Sequence, residues 1–274
     1  MPDDAVATLE NFGYEWAAFP DIRDEDAQFW ERYSVDLADA DVDGKLALDV
    51  GCGKGRFTWF LAQRASRVVA FDGSASVAVA AHNLRALDNT AVFQADLHHA
   101  PLPDRSFELV TCIGVLHYVP SPSEAFAEVA RLVAPGGVLL LSVYSRPERH
   151  GARALGLAVA TYVRRYTPRV PKGMLRVLSG PLAVALYVGV VVPGRMGDAL
   201  GIAAFSRLPL QTYRRRPVRS LWLDTFNRLH APFEHRFVRE DIVHWMDSEG
   251  LAVEHLHDDA GWMVVARRPA LPVS

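Results

Sequence analysis

The chain has 274 residues, half of them apolar, and a formal net charge of −3 at pH 7. That length and apolar content suffice for one large α/β core with an insertion, which favours a soluble enzyme. The two cysteines, Cys52 and Cys112, fall in or beside predicted strands and are interpreted as reduced packing residues, too few for a zinc site. The first residues are acidic and form no apolar signal, so a cytoplasmic location is the default expectation.

Short runs rich in Val, Leu and Phe predict the strands of a buried sheet: residues 45–50, 68–71, 91–94, 108–113, 138–144, 251–256 and 262–266. Helical patterns lie between them. One starts at a capping serine, Ser74, and one at a Ser-Pro-Ser-Glu capping box that opens a helix from Ser121 to about residue 135. Another helix fits 239–249. The alternation predicts a doubly wound, mostly parallel, seven-stranded α/β sheet of Rossmann-like type, with a ligand crevice at the carboxyl ends of the strands.

Three alternating glycines follow the first predicted strand, in the run Leu-Asp-Val-Gly-Cys-Gly-Lys-Gly-Arg at 48–56. Gly51, Gly53 and Gly55 lack Cβ atoms, so the turn can adopt positive φ and a ligand can approach the backbone closely. Arg56 stands where a dinucleotide-binding loop has its third glycine, and no Gly-Lys-Ser or Gly-Lys-Thr follows. The pattern therefore indicates a nucleotide-like ligand but neither a dinucleotide nor a phosphate loop.

Two acids stand at the ends of the first two strands. Asp49 precedes the glycines, where a carboxylate would meet a cationic or hydrogen-donating ligand. Asp72 ends the next strand 23 residues later, a separation that matches one strand-helix-strand unit. It is therefore predicted to lie where a ribose diol would be held.

Four ordered blocks resemble the class I S-adenosylmethionine-dependent methyltransferases: the glycine loop, Val-Val-Ala-Phe-Asp-Gly-Ser at 68–74, Phe-Gln-Ala-Asp-Leu at 93–97 and the Pro-Gly-Gly turn at 135–137. The resemblance implies S-adenosylmethionine as cofactor, S-adenosylhomocysteine as product, and no metal. It implies an antiparallel edge in the sheet, formed by the last two predicted strands. It also implies that Asp96 reads the adenine amino group. The predicted cofactor-binding residues are Asp49, Gly51, Cys52, Gly53, Asp72, Gly73, Ser74, Ala95, Asp96, Leu97, Ile113 and Gly114.

Catalysis is expected after the fourth strand, where the chain reads Ile-Gly-Val-Leu-His-Tyr at 113–118. His117 is the candidate general base because an imidazole titrates near neutral pH. The alternative is a histidine that packs against the sheet. Methyl transfer from a sulfonium can also proceed by positioning alone, without strong acid or base help.

Aromatic segments flank this region. The run from Asn11 to Trp16 is predicted to form a lid over the cofactor, with anchoring of the N-terminal segment as the alternative. The run from Trp222 to His235 returns the chain to the last helix, and its Asp224 and His235 either reach the active site or pin the loop. The candidate substrate-binding residues are Tyr14, Trp16, Tyr118, Tyr144 and His235.

Residues 146–219 interrupt the alternation and contain 14 Lys and Arg but only two acids, a local charge of +12. Such an excess raises the local concentration of anions. The stretch from Val177 to Pro193 has no charge, but its 17 residues are short for a bilayer span and include Pro181. An apolar lid or an interfacial helix pair is favoured over a span. This insertion has two alternative roles. It could be a helical cap that only packs on the sheet, with its arginines in solvent. It could instead be a roof over a lipophilic, anionic substrate, whose negative group would be bound by Arg164, Arg165, Arg214, Arg215 and Arg216.

The whole pattern resembles a bacterial methyltransferase subgroup with an apolar insertion after the fifth strand. We predict a helical, aromatic lid at 1–44, a cofactor-binding core at 45–145 and 237–270, and a basic, apolar substrate cap at 146–236. The predicted function is methyl transfer to a small, lipophilic acceptor that can carry an anionic group, with oxygen as the favoured target and carbon second. The alternatives are a S-adenosylmethionine-binding protein without transferase activity and an RNA methyltransferase.

Partner predictions follow from the same insertion. Nucleic acid ranks low because the basic residues lack the interleaved aromatics of a single-strand groove. Peripheral contact with the inner membrane surface through 146–219 is expected, beside an otherwise cytoplasmic location. The oligomeric state is left open.

Overall fold

The computed structural model describes residues 3–146, 162, 166–167, 170–202, 205, 208, 210–214, 216–230, 234–259 and 261–271. They belong to two compact units. The first, the core unit, comprises Met1–Arg146 and Phe233–Ser274, and the second, the helical unit, comprises Pro147–Pro232.

The core unit contains one seven-stranded sheet in the described part of the chain. Its order is β3-β2-β1-β4-β5-β7-β6, with every neighbouring pair parallel except those that involve β7. The predicted mostly parallel, doubly wound sheet is confirmed, although the antiparallel strand lies one position inside the edge. The strands are β1 Leu46–Val50, β2 Arg67–Asp72, β3 Thr90–Gln94, β4 Phe107–Ile113, β5 Val133–Val143, β6 Ala252–Asp258 and β7 Trp262–Arg267.

Helices cover both faces of this sheet. Phe126 of α6 (Pro122–Arg131) and Ile242 of α10 (Arg239–Ser248) pack on one face. Phe57 and Leu61 of α4 (Arg56–Ala62) pack on the other face, together with Trp30 of α2 (Asp24–Tyr33). The helices described are α1 Asp3–Ala18, α2 Asp24–Tyr33, α3 Asp39–Val42, α4 Arg56–Ala62, α5 Val77–Leu84, α6 Pro122–Arg131, α7 Lys172–Leu186, α8 Val192–Ala199, α9 Val218–His230 and α10 Arg239–Ser248.

The predicted end of α6 is wrong. The helix stops at Arg131, and β5 begins at Val133 and includes the Pro-Gly-Gly sequence that was expected to terminate the helix. Val133 pairs with Phe107 of β4. A Cβ atom at Gly137 would lie only 3.0 Å from the carbonyl oxygen of Phe107, so glycine lets the two backbones approach. Sheet pairing therefore overrides the local turn signal.

Two predicted helix caps are also wrong. The structure shows no side-chain capping hydrogen bond from Ser121, although Pro122 occupies the first turn as expected. The next helix after β2 begins at Val77 instead of Ser74. The Ser74 hydroxyl donates to the Asp72 carboxylate at 2.7 Å and accepts from the Ser76 N–H at 3.2 Å, so it stabilises the turn that precedes the helix.

The helical unit is built on one long apolar helix. α7 runs through Pro181 and continues, by a π-helical segment at Tyr187–Val191, into α8, so Lys172–Ala199 is one uninterrupted helix of 28 residues. Its inner side packs on α9 around a cluster of Ala183, Val191, Tyr213 and Leu221. The uncharged stretch Val177–Pro193 therefore lies within a longer helix that continues through Pro181.

Two polar residues with predicted functional roles serve packing inside the helical unit. Asp224 accepts a hydrogen bond from the Tyr213 hydroxyl. Arg214 forms an ion pair with Asp198 at 2.6 Å. The arginines at 164, 165 and 215 lie outside the described residues.

A buried ion pair fastens α2 to the glycine loop of the core unit. Lys54 Nζ lies 2.8 Å from the Asp26 carboxylate, and both side chains are less than a tenth exposed, at 6% and 7%. Arg56 approaches the same carboxylate at 3.4 Å. Burial raises the pKa of Asp26, but Arg56 and Lys54 outweigh it and hold the pKa below its usual range. The acidic start of α2 is therefore held on the loop by charge.

Breaking this pair from one side should destabilise the protein strongly. Asp26→Ala leaves the Lys54 ammonium buried without its carboxylate partner, so we expect the free energy of unfolding in urea to fall by about 3 kcal/mol. As a control, Asp39→Ala breaks a pair with Arg64 in which the Asp39 side chain is 85% exposed, and it should have little effect. The double variant Asp26→Leu/Lys54→Met should recover most of the loss, because it removes both charges. If Asp26→Ala and Asp39→Ala lower the free energy of unfolding equally, burial does not explain the strength of the pair.

Candidate active site

The glycine loop after β1 adopts the backbone that its sequence predicts. Gly51, Gly53 and Gly55 have φ angles of 71°, 55° and 82°, in the left-handed region that glycine adopts without strain. A Cβ atom at Gly51 would lie 2.3 Å from a methyl of Val115, so this glycine also allows the loop to contact the segment after β4. The loop thus adjoins the region where catalysis is predicted.

Asp72 joins the glycine loop to the end of β2. Its carboxylate accepts hydrogen bonds from the backbone N–H of Gly53 at 2.9 Å and from the N–H of Ser74 at 2.8 Å. The side chain remains half-buried at the carboxyl end of the strand. This position suits an acid that holds a ribose diol, because carboxylate oxygens accept from adjacent hydroxyls.

Asp49 lies beneath the loop. It is 1% exposed, and its carboxylate accepts hydrogen bonds from the hydroxyls of Thr58 at 2.6 Å and Thr111 at 3.0 Å. Burial raises the pKa of Asp49 to about 6, against the opposing effect of the two threonine hydrogen bonds. The structure therefore places Asp49 as a support for the loop, facing away from solvent.

The remaining predicted cofactor residues lie at the carboxyl ends of β3 and β4. The Ala95 N–H donates to the carbonyl of Asp72 at 3.2 Å, and Asp96 begins a short helical turn by accepting from the His98 N–H at 3.1 Å. Gly114 follows the buried Ile113 and has a φ of 81°. Apart from its chain neighbours, no atom of the described residues lies within 4 Å of where its Cβ would be. The strand ends thus bring together residues that are distant in sequence.

Cys52 and Leu97 complete the predicted cofactor set. Cys52 is a buried free thiol, and burial raises its pKa, so it is a packing residue of the loop in its protonated form. Leu97 is half-buried in the short turn that follows Asp96.

Helix α1 covers the loop and the end of β2. A Cβ atom at Gly73 would lie 2.9 Å from Leu9 Cδ2, and one at Gly53 would lie 2.8 Å from Trp16 Nε1. Trp16 also faces the cations of Lys54 and Arg56, at 5.7 and 5.4 Å from its ring. The aromatic segment thus packs on the glycine loop, as either a lid or an anchor of the N-terminal segment would.

An aromatic cluster follows β4 and β5. The His117 ring stacks on Tyr144 at 3.8 Å between centroids, and the Tyr118 and Tyr144 hydroxyls lie 3.4 Å apart. Phe12 of α1 meets Tyr118 edge-on at 5.0 Å. The His235 N–H donates to the His117 carbonyl at 2.8 Å. Four predicted catalytic or substrate residues, His117, Tyr118, Tyr144 and His235, are therefore brought together. Tyr14 lies on α1, half-buried.

His117 has a buried, neutral imidazole. The residue is 1% exposed, and burial, with the nearby charges of Arg236 and His235, lowers its pKa well below the usual range. Its Nδ1 atom is buried and has no hydrogen-bond partner among the described residues. An unpaired buried polar atom costs free energy, so this nitrogen would gain from a polar partner.

Several residues of this region were missed by sequence reasoning. Arg236 places its guanidinium 5.0 Å from the Tyr144 ring and pairs with the buried Glu234. Lys54 and Asp26 hold α2, as described above. Lys54 stands inside the glycine motif, which is a usable signal, but no sequence spacing connects it to Asp26. Within the described residues, no group of three or more side chains is arranged to hold a metal ion.

Comparisons with known proteins agree with this geometry. Residues 48–141 match the family model described as a methyltransferase domain. A ubiquinone biosynthesis O-methyltransferase of Pseudomonas fluorescens (strain Pf0-1) is 35% identical over 144 residues, which are 51% of this chain and 59% of that protein. The chain thus spans little more than half the length of this relative.

Solved structures show the same fold over most of the chain. A candidate methyltransferase from Bacillus halodurans C-125 has a TM-score of 0.56 at 16% identity and covers 89% of this chain and 100% of its own. Magnesium protoporphyrin IX methyltransferase from Synechocystis PCC 6803, solved with bound S-adenosylhomocysteine, has a TM-score of 0.50 at 16% identity, covering 89% and 83%. Residues 48–141 therefore match the methyltransferase-domain family, and the chain shares the fold of these solved structures.

The residues present fit the cofactor of this family. The left-handed glycines allow close backbone approach, Asp72 offers a half-buried carboxylate at the end of β2, and Gly114 leaves open space after β4. Asp49 is the exception in the predicted set, because its carboxylate is enclosed by the protein.

Asp72→Ala should weaken the binding of S-adenosylmethionine, measured by calorimetry, by about 1.5–3 kcal/mol because it removes charged hydrogen bonds. The exposed Glu124 on α6 supplies a matched control, and Glu124→Ala should bind as the wild type does. Normal binding by the Asp72 variant would show that the ribose site lies elsewhere.

Asp49 should make the stability of the protein depend on pH. Its folded pKa, about 6, is above its ordinary 3.8, so the native state takes up the extra proton between these values and stability falls as pH rises through them. Asp49→Asn removes this proton uptake. Relative to the variant, the wild type should gain about 2 kcal/mol in unfolding free energy between about pH 7 and pH 4. The free energy of unfolding is measured by urea titration at each pH. If it depends on pH in the same way in the wild type and in Asp49→Asn, the pKa of Asp49 is not raised.

Proposed function

We propose that this protein transfers a methyl group from S-adenosylmethionine to a hydroxyl of a small, lipophilic acceptor. The observation that carries the proposal is the buried, neutral His117, whose Nδ1 has no partner in the described residues and which stacks beside the Tyr118 and Tyr144 hydroxyls. When bound, the cofactor supplies an electrophilic methyl group. The protein's own residues must then orient the acceptor and receive its proton.

The two tyrosine hydroxyls can orient the acceptor by hydrogen bonds, and the neutral His117 imidazole can accept the proton of its hydroxyl. A low pKa makes His117 a weak base, but one that is unprotonated at neutral pH. Positioning therefore carries much of the rate, as expected for a displacement on a sulfonium. Carbon is the second candidate target, since the same geometry serves an acidic carbon.

The class of acceptor is inferred from two supports. One is the name of the Pseudomonas fluorescens relative, a ubiquinone biosynthesis O-methyltransferase, so a lipophilic phenol or quinone precursor is the first acceptor to test. The other is a cleft of about 270 Å³ in the core unit, whose lining includes Arg146, His235, Arg236 and one acid, Asp241; the two guanidiniums can attract an anionic group. We also propose that the protein acts in the cytoplasm, at the inner membrane surface where such acceptors reside.

The test is calorimetry with S-adenosylmethionine and S-adenosylhomocysteine, followed by a labelled-methyl assay on prenylated phenols, fatty acids and RNA. Binding with transfer to a phenol is the expected result. Tight binding without any accepted substrate would favour a S-adenosylmethionine-binding protein that transfers no methyl group, and labelled RNA would establish the RNA alternative.

Two conservative variants should separate the roles of the aromatic cluster. Tyr144→Phe removes one hydroxyl but keeps the stack on His117, so we expect KM for the acceptor to rise about fivefold to tenfold. His117→Gln should lower kcat by about 10²-fold or more if the imidazole takes the proton. Both should leave the Kd for S-adenosylmethionine unchanged. An unchanged kcat with a lowered melting temperature in His117→Gln would mean that this histidine only packs against the sheet.

A further inference from the structure

The long helix Lys172–Ala199 has one buried and one exposed side. On the buried side, Leu175, Ser179 and Ala183 recur every four residues and face the rest of the helical unit. On the opposite side, six large apolar side chains are 44–70% exposed. We call this set the apolar ridge: Met174, Val177, Leu178, Leu182, Val188 and Met196.

The spacing of the ridge indicates a surface with a purpose. Its first four members stand at positions i, i+3, i+4 and i+8, counted from Met174, which places them on one side of a helix. No charged residue occurs between Val177 and Pro193 to interrupt it. Soluble proteins rarely expose a continuous apolar stripe of this length, so the ridge indicates an interaction surface.

The charges around the ridge identify the partner as an anionic lipid surface. Lys172 and Arg176 stand at the start of the ridge and Arg195 near its end, and residues 146–219 carry a net charge of +12. Exposed Tyr162 and Tyr166 belong to the same unit, and tyrosine is favoured at membrane interfaces. An apolar stripe with basic ends matches a bilayer whose acyl region is apolar and whose headgroups are negative.

The packing of the helix distinguishes lying on a membrane from crossing it. Lys172–Ala199 is long and apolar enough to span, and only 22% of its most apolar window is buried, unlike a core helix. Its inner side, however, packs through Ala183 and Val191 onto Tyr213. Ser179 on that side accepts a hydrogen bond from the Trp222 indole at 3.0 Å. A span would expose these polar groups to lipid, which is unfavourable.

We propose that the helical unit docks on anionic membranes by laying the apolar ridge in the bilayer interface, parallel to the surface, where the net positive charge of residues 146–219 attracts the headgroups. The inner side of the helix stays packed on α9. This inference concerns membrane binding and does not require methyl transfer. A failure of docking and a failure of the proposed activity would therefore be seen separately.

The test is vesicle flotation of the full chain, using phosphatidylcholine alone and phosphatidylcholine mixed with phosphatidylglycerol. The wild type should float with the mixed vesicles. Val177→Asp and Val188→Asp should each lower the bound fraction at least about tenfold, because each places a charge in the interface. An alkaline carbonate wash should release the bound protein. Retention after that wash would overturn the interfacial orientation in favour of a span.

Val35 in the core unit offers a matched control, since it is 66% exposed and Val177 is 70% exposed. Val35→Asp should float like the wild type, and circular dichroism should show that all variants are folded. The proposal is overturned if the wild type binds neither vesicle, or if the ridge variants float unchanged. It is also overturned if light scattering shows that the ridge variants convert a dimer to a monomer while lipid binding persists, because the ridge would then cover a second copy of the chain.

Discussion

The core unit depends on one hydrogen bond, from the backbone N–H of Gly53 to the Asp72 carboxylate. It joins the loop after β1 to the end of β2 and holds the loop in its left-handed conformation, which only glycine adopts without strain. Trp16 lies on the same glycine, and the next residue, Lys54, anchors α2 through Asp26. A change at this point would therefore disturb the cofactor loop, its helical cover and the second helix together.

Three aspartates near the loop behave differently because their surroundings differ. Asp49 is enclosed with two threonine hydroxyls, and burial raises its pKa. Asp26 is also buried, but two cations lower its pKa. Asp72 is half-buried and bound by backbone N–H groups, so its carboxylate can still meet a ligand. The chemical role of each acid follows from burial and neighbouring charge, and these are properties of the folded chain.

The long helix of the helical unit has an apolar side that is exposed and a side of small or polar residues that is buried. It buries small and polar residues such as Ser179 and Ala183 on one side and exposes large apolar ones such as Val177 on the other. This distribution is the reverse of a helix on the surface of a soluble core. Arg214, which the sequence offered as an anion ligand, is paired with Asp198 instead. The unit's positive charge is therefore partly used internally, and its apolar side is the part left exposed.

The sequence by itself determined the position of the strands, the order of the four sequence motifs and the left-handed glycine loop. These features depend on side-chain periodicity and on the absence of Cβ atoms. It also placed His117 after β4. Only the tertiary structure decided that Pro-Gly-Gly joins β5, that Asp49 is enclosed and that Arg236 and Phe12 adjoin the aromatic cluster. These features arise from pairing and packing between residues far apart in the chain, and no local pattern encodes which distant partners will meet.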